Sequence, residues 1–271
     1  MEGNRGGIMT EPFKHQASRH LSCLEEYGVK AGITTRQNGY SEVPYASLNM
    51  GLHVGDAVTD VLRNRKELAN DLGFPLEQWV MGQQVHGTGI HVVKQEDAGR
   101  GAFAKEQAIA DVDGLITNQK DLLLTAFYAD CVPLLFIDPV AEWIGIAHAG
   151  WKGTVHDMTG RMVTALTSQG ATVANLRMVI GPAIGERNYE VDHHVIQHIP
   201  EAYKKKVSIP TGSDKYLLDL KELNKQIAIH AGLRESHIYK TNLCTFDEEE
   251  LFYSHRRDHG KTGRMLAYIG L

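Results

Sequence analysis

"LLLTAFYADCVPLLFIDPVAEWIGIAHAGWKGT", residues 122–154, is the stretch that decides the fold. Three apolar runs, LLLTAFYA (122–129), VPLLFID (132–138) and EWIGIAH (142–148), follow in quick succession, separated by Asp130-Cys131 and Asp138-Pro139. Short continuous apolar runs bounded by turn residues predict strands buried on both faces, and these three are expected at the buried centre of the sheet. Gly150 and Gly153 then bracket Trp151 and Lys152. Glycine lets the chain turn tightly there, and a helix starting at this point offers free N–H groups to an anion. Trp151 is expected to pack the turn.

Working outward, GVKAGITTR reads as a strand, and NGYSEVPYASLN carries loop-forming residues. From Asp56 a helix follows, with Val58, Val61, Leu62, Leu68, Ala69 and Leu72 on one face and Gly73 and Pro75 at its end. WVMGQQV and GIHVV look like paired strands around His86-Gly87, and EDAGRGAFAKEQAIADVDG reads as a mobile surface loop. Downstream, Met158, Met162 and Leu166 mark the inner face of a helix that stops at Gly170, and LRMVIGPAIG is a further strand. DLKELNKQIAIHAG is a helix capped by Asp219 and stopped by Gly232; HIYKTN and MLAYIGL close the chain as strands. No repeat, low-complexity segment or linker interrupts this order. The fold class expected is α+β: a single domain with a mixed, sandwich-like β-sheet core flanked by helices. Met9 offers a second start, so residues 1–20 are expected to be a poorly ordered N-terminal extension and residues 21–271 one catalytic domain.

Composition narrows the function. The chain has 271 residues, is 42% hydrophobic and 23% charged, and carries a formal net charge of -5. That balance argues against a general nucleic-acid binder, which would present a basic face. No apolar stretch approaches the ~20 residues of a membrane helix, and the N-terminus lacks a signal-type apolar region. Three cysteines without a C-x-x-C predict reduced thiols and a cytoplasmic protein.

Three reactive side chains occupy turns beside apolar strands: His86 in QQVHG, Cys131 in YADCVP and His148 in AHAGW. Two histidines and a thiolate would satisfy Zn²⁺ with a fourth position left open. Spacing alone leaves the alternatives standing: each histidine as a surface or core residue, Cys131 as a buried small hydrophobe.

GITTRQNGYSEVPYASLNMGLHVGD, NR, QQVHG, DGLIT, ADCVPL, HAGWKG, IGPAIG, NYEV and SHRRDHGKTGRM occur in the order found in the YfiH/YlmD family. The chain resembles that family from about Gly32 to its C-terminus. The family was long labelled a laccase-domain or multicopper polyphenol oxidase family and is now regarded as zinc-dependent purine nucleoside phosphorylases with adenosine deaminase activity. The resemblance implies a YfiH-like fold of cysteine-hydrolase type. It further implies a metal site at His86, Cys131 and His148, catalysis by these three with Arg65, and zinc rather than copper as cofactor. Purine nucleosides and phosphate are the expected partners of a monomer or homodimer, with methylthioadenosine a further substrate and no nucleic acid or membrane involved. Multicopper oxidases build their trinuclear cluster from repeated H-x-H pairs, and the chain contains no H-x-H. Two departures from the family pattern are Lys152, where an arginine is common, and QNGYS in place of a Gly-Gly loop.

Phosphorolysis needs a phosphate held beside the glycosidic carbon, and arginine binds its oxygens in pairs. The candidates are Arg36, Arg65, Arg256 and Arg257, with Arg65 favoured by the NR resemblance; Lys152 keeps a charge but lacks the fork. Asn49 is a candidate for ribose or base, with Tyr40 and Ser41 as loop contacts. Glu190 and Asp130 are candidate acid/base groups, Asp130 equally a partner orienting a ligand histidine; Cys244 is assigned to packing. H-x-E with P-C-x-x-C is absent, so the cytidine-deaminase fold is excluded. Two other readings compete: a metal-free cysteine hydrolase using Cys131 and His148, and a non-catalytic partner protein.

Overall fold

The three central runs do form strands covered on both faces, but they are divided between two sheets. A computed structural model describes residues 11–17 and 19–271. In chain order its elements begin with β1 (Lys14–Ala17), β2 (His20–Cys23), β3 (Lys30–Thr34), helix α1 (Val58–Leu72), β4 (Trp79–Met81) and β5 (Ile90–Val92). Next come β6 (Gly114–Thr117), β7 (Leu123–Tyr128), β8 (Val132–Asp138), β9 (Trp143–Ala149), α2 (Trp151–Val155), α3 (Met158–Ser168) and β10 (Arg177–Ile180). The chain ends with β11 (Glu190–Asp192), α4 (His193–Ile196), α5 (Glu201–Val207), β12 (Ser208–Gly212), β13 (Lys215–Leu218), α6 (Leu220–His230), β14 (Ile238–Lys240) and β15 (Met265–Gly270). One sheet has the order β1-β2-β3-β15-β7-β4, a second β14-β10-β8-β9-β6-β5, and a small third β11-β13-β12. The pairs β4–β7, β5–β6 and β10–β14 are parallel and the other neighbours antiparallel. This is a mixed α+β single domain with several sheets.

Alternation along each strand assigns its side chains to layers. In β8, Val132, Leu134 and Phe136 join Met158, Met162 and Leu166 of α3 and Leu220, Leu223 and Ile227 of α6. Leu135 and Ile137 face the other way, into a layer shared with Ile33 of β3, Leu124 and Ala126 of β7 and Ala267 of β15. The two large sheets therefore pack through a common apolar layer, and α3 and α6 cover the far face of the second. On the far side of the first sheet, Leu68, Ala69 and Leu72 of α1 meet Trp79, Leu123, Leu266 and Tyr268. Gly73, at φ 73, ends α1 as a left-handed cap. Each fully buried Leu or Ile contributes roughly 1.5–3 kcal/mol relative to exposure, so a strand buried on both faces is stabilised twice.

Two expectations are corrected. The 122–129 run belongs to the first sheet, the next two to the second, because Asp130 turns the chain out of β7 at φ 83 instead of closing a hairpin. Its carboxylate accepts from Thr245 Oγ1 and the Arg256 N–H, both at 2.7 Å, and its carbonyl from the Ile184 N–H. Likewise β4 and β5 are not partners: β4 joins β7 in the first sheet and β5 joins β6 in the second. The chain thus passes from the first sheet to the second twice, once through the segment holding His86 and once through Cys131, and returns between β6 and β7 and between β14 and β15. The third sheet had no counterpart in the sequence reading, and β12 is almost wholly exposed.

Residues 1–10 and 18, part of the expected extension, lie outside the described residues. Within the rest of it, Phe13 is buried, Glu11 accepts from Thr241 Oγ1 and the Asn242 N–H, and β1 pairs with β2. Among the described residues no helix is long and apolar enough to cross a membrane.

Candidate metal centre and substrate cavity

The two sheet crossings bring His86 and Cys131 against the end of β9, which carries His148. One nitrogen of each histidine and the Cys131 Sγ lie within 4.8 Å of one another. The rings of His86 and His148 meet edge to face, centroids 4.8 Å apart. His148 is buried and Cys131 half-buried, whereas His86 is exposed and held at φ 58. Gly150, the residue before α2, lies against the group: a Cβ there would reach 3.0 Å from Cys131 Sγ and 3.2 Å from the His86 ring. A side chain there would crowd both groups, so the glycine lets the backbone approach them closely.

Asp113, just before β6, organises all of this. Its carboxylate accepts the N–H groups of Val85 (3.1 Å), His86 (3.1 Å) and Gly87 (2.8 Å), which fixes the loop carrying His86. The same carboxylate lies 2.8 Å from His148 Nδ1, and the Asp113 carbonyl accepts the His148 N–H. A carboxylate on Nδ1 sets the ring orientation and leaves Nε2 as the ligating nitrogen. Burial works against the Asp113 anion, but the His148 hydrogen bond and the Gly87 and Val85 N–H groups keep its carboxyl below the usual range. Burial alone would raise the Cys131 thiol; the charge and hydrogen bond of His148, then those of His86, bring it down to about 6. Burial likewise opposes a His148 cation, but Cys131 and Asp113 together raise it to about 9. Each group thus favours the charged form of the other, thiolate beside imidazolium.

The triad opens into a cavity of about 590 Å³ also lined by His53, Arg65, Lys105, Phe127, His255 and Arg264. Arg65 is buried, not solvated on the surface of α1. Its Nε and Nη2 donate to the Met50 carbonyl (3.0 and 2.8 Å), and its Nη1 to the carbonyls of Gly101 (2.9 Å) and Ala102 (2.6 Å). Burial lowers it to about 9, still cationic at neutral pH. The expected mobile loop is therefore a cavity wall anchored on this guanidinium. Burial, then Arg264, Arg65, Lys105 and His148, lower His53 to about 4 and keep it neutral.

Of the residues expected from the sequence, His86, Cys131, His148 and Arg65 share this cavity; the other candidates do not line it. Arg36 stacks on Tyr253 at 4.7 Å and, with Arg257, borders a separate cavity. Arg257 is tied to Asp258 and to the Thr245, Phe246 and Phe252 carbonyls. Arg256 lies over Tyr189 and donates to the Glu190 carbonyl. Lys152 is exposed beside Trp151, which packs against His194 and His198. Asn49 is buried, bridging Gly51, Asp56 and the Arg264 N–H. Tyr40 and Ser41 bond Asn64. Asp130 orients Thr245 and Arg256 rather than a ligand histidine, and the carboxylate at that position is Asp113. The Glu190 carboxylate accepts from Thr211 at the surface. Cys244 is buried and accepts the Gly185 N–H, in keeping with packing. Asp113, His53 and Arg264 escaped the sequence reading, although each falls inside one of the quoted motifs.

An α+β domain with a His–Cys–His cluster where its two main sheets meet defines the class of protein. The family described as multi-copper polyphenol oxidoreductase laccase matches residues 30–271, and the chain belongs to it. It is 45% identical to the "Purine nucleoside phosphorylase YlmD" of Geobacillus stearothermophilus, across 97% of this chain and 98% of that one. It is 43% identical to the Bacillus subtilis protein of the same name, across 90% and 88%. Among solved structures, Bacillus licheniformis YfiH superposes with a TM-score of 0.94 at 45% identity, covering 96% of this chain and 99% of that one. YlmD from G. stearothermophilus superposes at 0.93 with 45% identity, covering 96% and 98%.

Proposed function

We propose that this chain is a zinc-dependent purine nucleoside phosphorylase, converting adenosine or inosine and phosphate into free base and ribose 1-phosphate. The observation that carries the reading is one cavity holding both a His–Cys–His donor set and two guanidinium groups that, among the described residues, have no carboxylate partner. The donor set fits zinc: two imidazoles and a low-pKa thiol converge, Asp113 orients one imidazole, and Gly150 leaves the space open. When bound, zinc supplies Lewis acidity beside the substrate. The chain's own residues do the rest. Arg65 provides fixed positive charge and one remaining N–H for phosphate, and neutral His53 offers a single donor and a single acceptor to the nucleoside. As a phosphate oxygen bonds to C1′, the C1′–N9 bond breaks; its electron pair passes to the purine, which takes up a proton. Preorganised positive charge near the incoming phosphate lowers the barrier without reorganisation.

Adenosine deamination, giving inosine and ammonia with water, and phosphorolysis of methylthioadenosine belong to the same reading. So do a cytoplasmic location, a single catalytic domain and a monomeric or homodimeric state. Relatives that carry the phosphorylase name across nearly the whole chain support it. The test is a product assay with adenosine, with and without phosphate. Adenine and ribose 1-phosphate should form only with phosphate, while inosine and hypoxanthine report deamination. Zinc-loaded protein that releases no base in a phosphate-dependent way overturns the proposal.

The close pairing of Cys131 and His148 favours a second reading, a metal-free cysteine hydrolase with Cys131 as nucleophile and His148 as base. Zinc content separates the two: stoichiometric zinc that is lost in Cys131→Ala sinks the hydrolase.

A further inference from the structure

Arg264 enters the cavity from the loop before β15 with its side chain half engaged. Its Nη1 donates to the carbonyls of Thr262 and Gly263, both at 2.9 Å. Among the described residues, no acceptor takes its Nε–H or its Nη2–H groups, and it forms no ion pair. Those groups make the side edge of the guanidinium, two parallel donors spaced to bind two oxygens of one phosphate. The Arg264 stem rests over Gly51, where a Cβ would come within 3.0 Å of it and 3.1 Å of His53. Asn49 Oδ1 accepts both the Gly51 N–H (3.0 Å) and the Arg264 N–H (2.9 Å), so one buried amide ties the two segments together.

Arg65 stands in contrast. Four of its five N–H groups are engaged by backbone carbonyls. Glu106 is the sole carboxylate lining the cavity, and it pairs with neither arginine within 4.0 Å. Arg65, Lys105 and Arg264 outnumber Glu106 and the Cys131 thiol in the described lining, so the cavity is net positive, with its free fork on Arg264.

We propose that Arg264 is the residue that grips the phosphate, through Nε–H and Nη2–H, while Arg65 acts as a strut of the cavity wall that adds charge. Asn49 then acts through Arg264 as a positioning residue. The assignment rests on the phosphorylase reading for its biological meaning, but not for its measurement. Arg264→Gln and Arg264→Lys are prepared as zinc-loaded protein, with zinc content and melting midpoint recorded. Inorganic phosphate binding is measured by calorimetry, and KM for phosphate and for nucleoside by steady-state kinetics.

Arg264→Gln should weaken phosphate binding and raise the phosphate KM roughly tenfold or more, as expected for loss of a charged bidentate contact. Nucleoside KM and zinc content should stay within about twofold. Arg264→Lys, which keeps charge without the fork, should recover part of the loss. Unchanged phosphate binding in a folded, zinc-loaded Arg264→Gln protein overturns the assignment, as does a rise confined to the nucleoside KM. Wild-type protein that binds phosphate through Arg264 yet cleaves no nucleoside overturns the phosphorylase reading and supports the subsite.

Discussion

Asp113 holds four hydrogen bonds on one carboxylate and a further one on its carbonyl. Asparagine at that position keeps the volume but loses the charge and half the acceptor capacity. Both the His86 loop and the His148 tautomer then lose their support. Asp113→Asn should weaken zinc binding about 10–100-fold, the range for such orienting groups, measured by competition with a chromophoric chelator. An unchanged affinity would rule out this role. At this scale the sequence was legible where residue type declares chemistry. His86, Cys131 and His148 stood out as reactive groups at turns, while the family resemblance joined them into one site and favoured Arg65 through its NR dipeptide. Asp113 in DVDGLIT and Arg264 in GKTGRM did not, because an aspartate before a strand and one cation among several look like ordinary surface residues. What distinguishes them is the partner they meet across the fold: His148 stands 35 residues from Asp113, and Asn49 stands 215 from Arg264.

The helix α1 and the loop 94–108 show how one element is held by another. Arg65 joins them through carbonyls 36 and 37 residues away. In Arg65→Leu the Met50, Gly101 and Ala102 carbonyls lose a buried donor, each loss costing roughly 1–3 kcal/mol. The variant should be destabilised by about 3 kcal/mol or more in a denaturant titration, and a shift below about 0.5 kcal/mol would contradict the strut role. Asp97 secures the start of the same loop. Burial alone would raise its carboxyl, but His91, the Lys94 N–H and Arg100 outweigh that and leave it below the usual range. A depressed folded-state pKa means the contribution is complete above the unfolded value of about 4 and disappears as pH falls through the folded value. Asp97→Asn should therefore narrow the stability difference between pH 6 and pH 3, read from melting midpoints; an identical acid profile would exclude that contribution. Helix boundaries were legible here, since Gly73, Asp219 and Gly232 act locally. The wall-forming role of the 94–108 loop was not, because its periodicity is weak and its anchor is remote.

For the whole molecule, composition and apolar runs were enough to give a single α+β domain, and strand existence was read correctly around residues 122–149. Strand partnership was not. A run buried on both faces looks the same in either sheet, and β7 pairs with β15, whose residues lie more than a hundred positions away. Nor does periodicity say that Asp130 leaves one sheet for another, since that depends on Thr245, Arg256 and Ile184. The same blindness made β4 and β5 look like partners. The pairing error concealed the site's logic, because the two sheet crossings are what bring His86 and Cys131 together.

Those crossings make the triad a clasp. On the proposed reading, a zinc ion held by residues at both passages, and by His148 on the second sheet, would bind only a chain whose sheets are already docked. By mass action it would then add about 2.7 kcal/mol to folding when free zinc stands at 100 times its dissociation constant. The melting midpoint should climb with the logarithm of free zinc and fall on dialysis against a chelator, with Cys131→Ala indifferent to both. An intact protein that melts at one temperature whatever the zinc supply would show that the clasp is not closed. If it is closed, the thermal endurance of this chain reports on the metal supply around it.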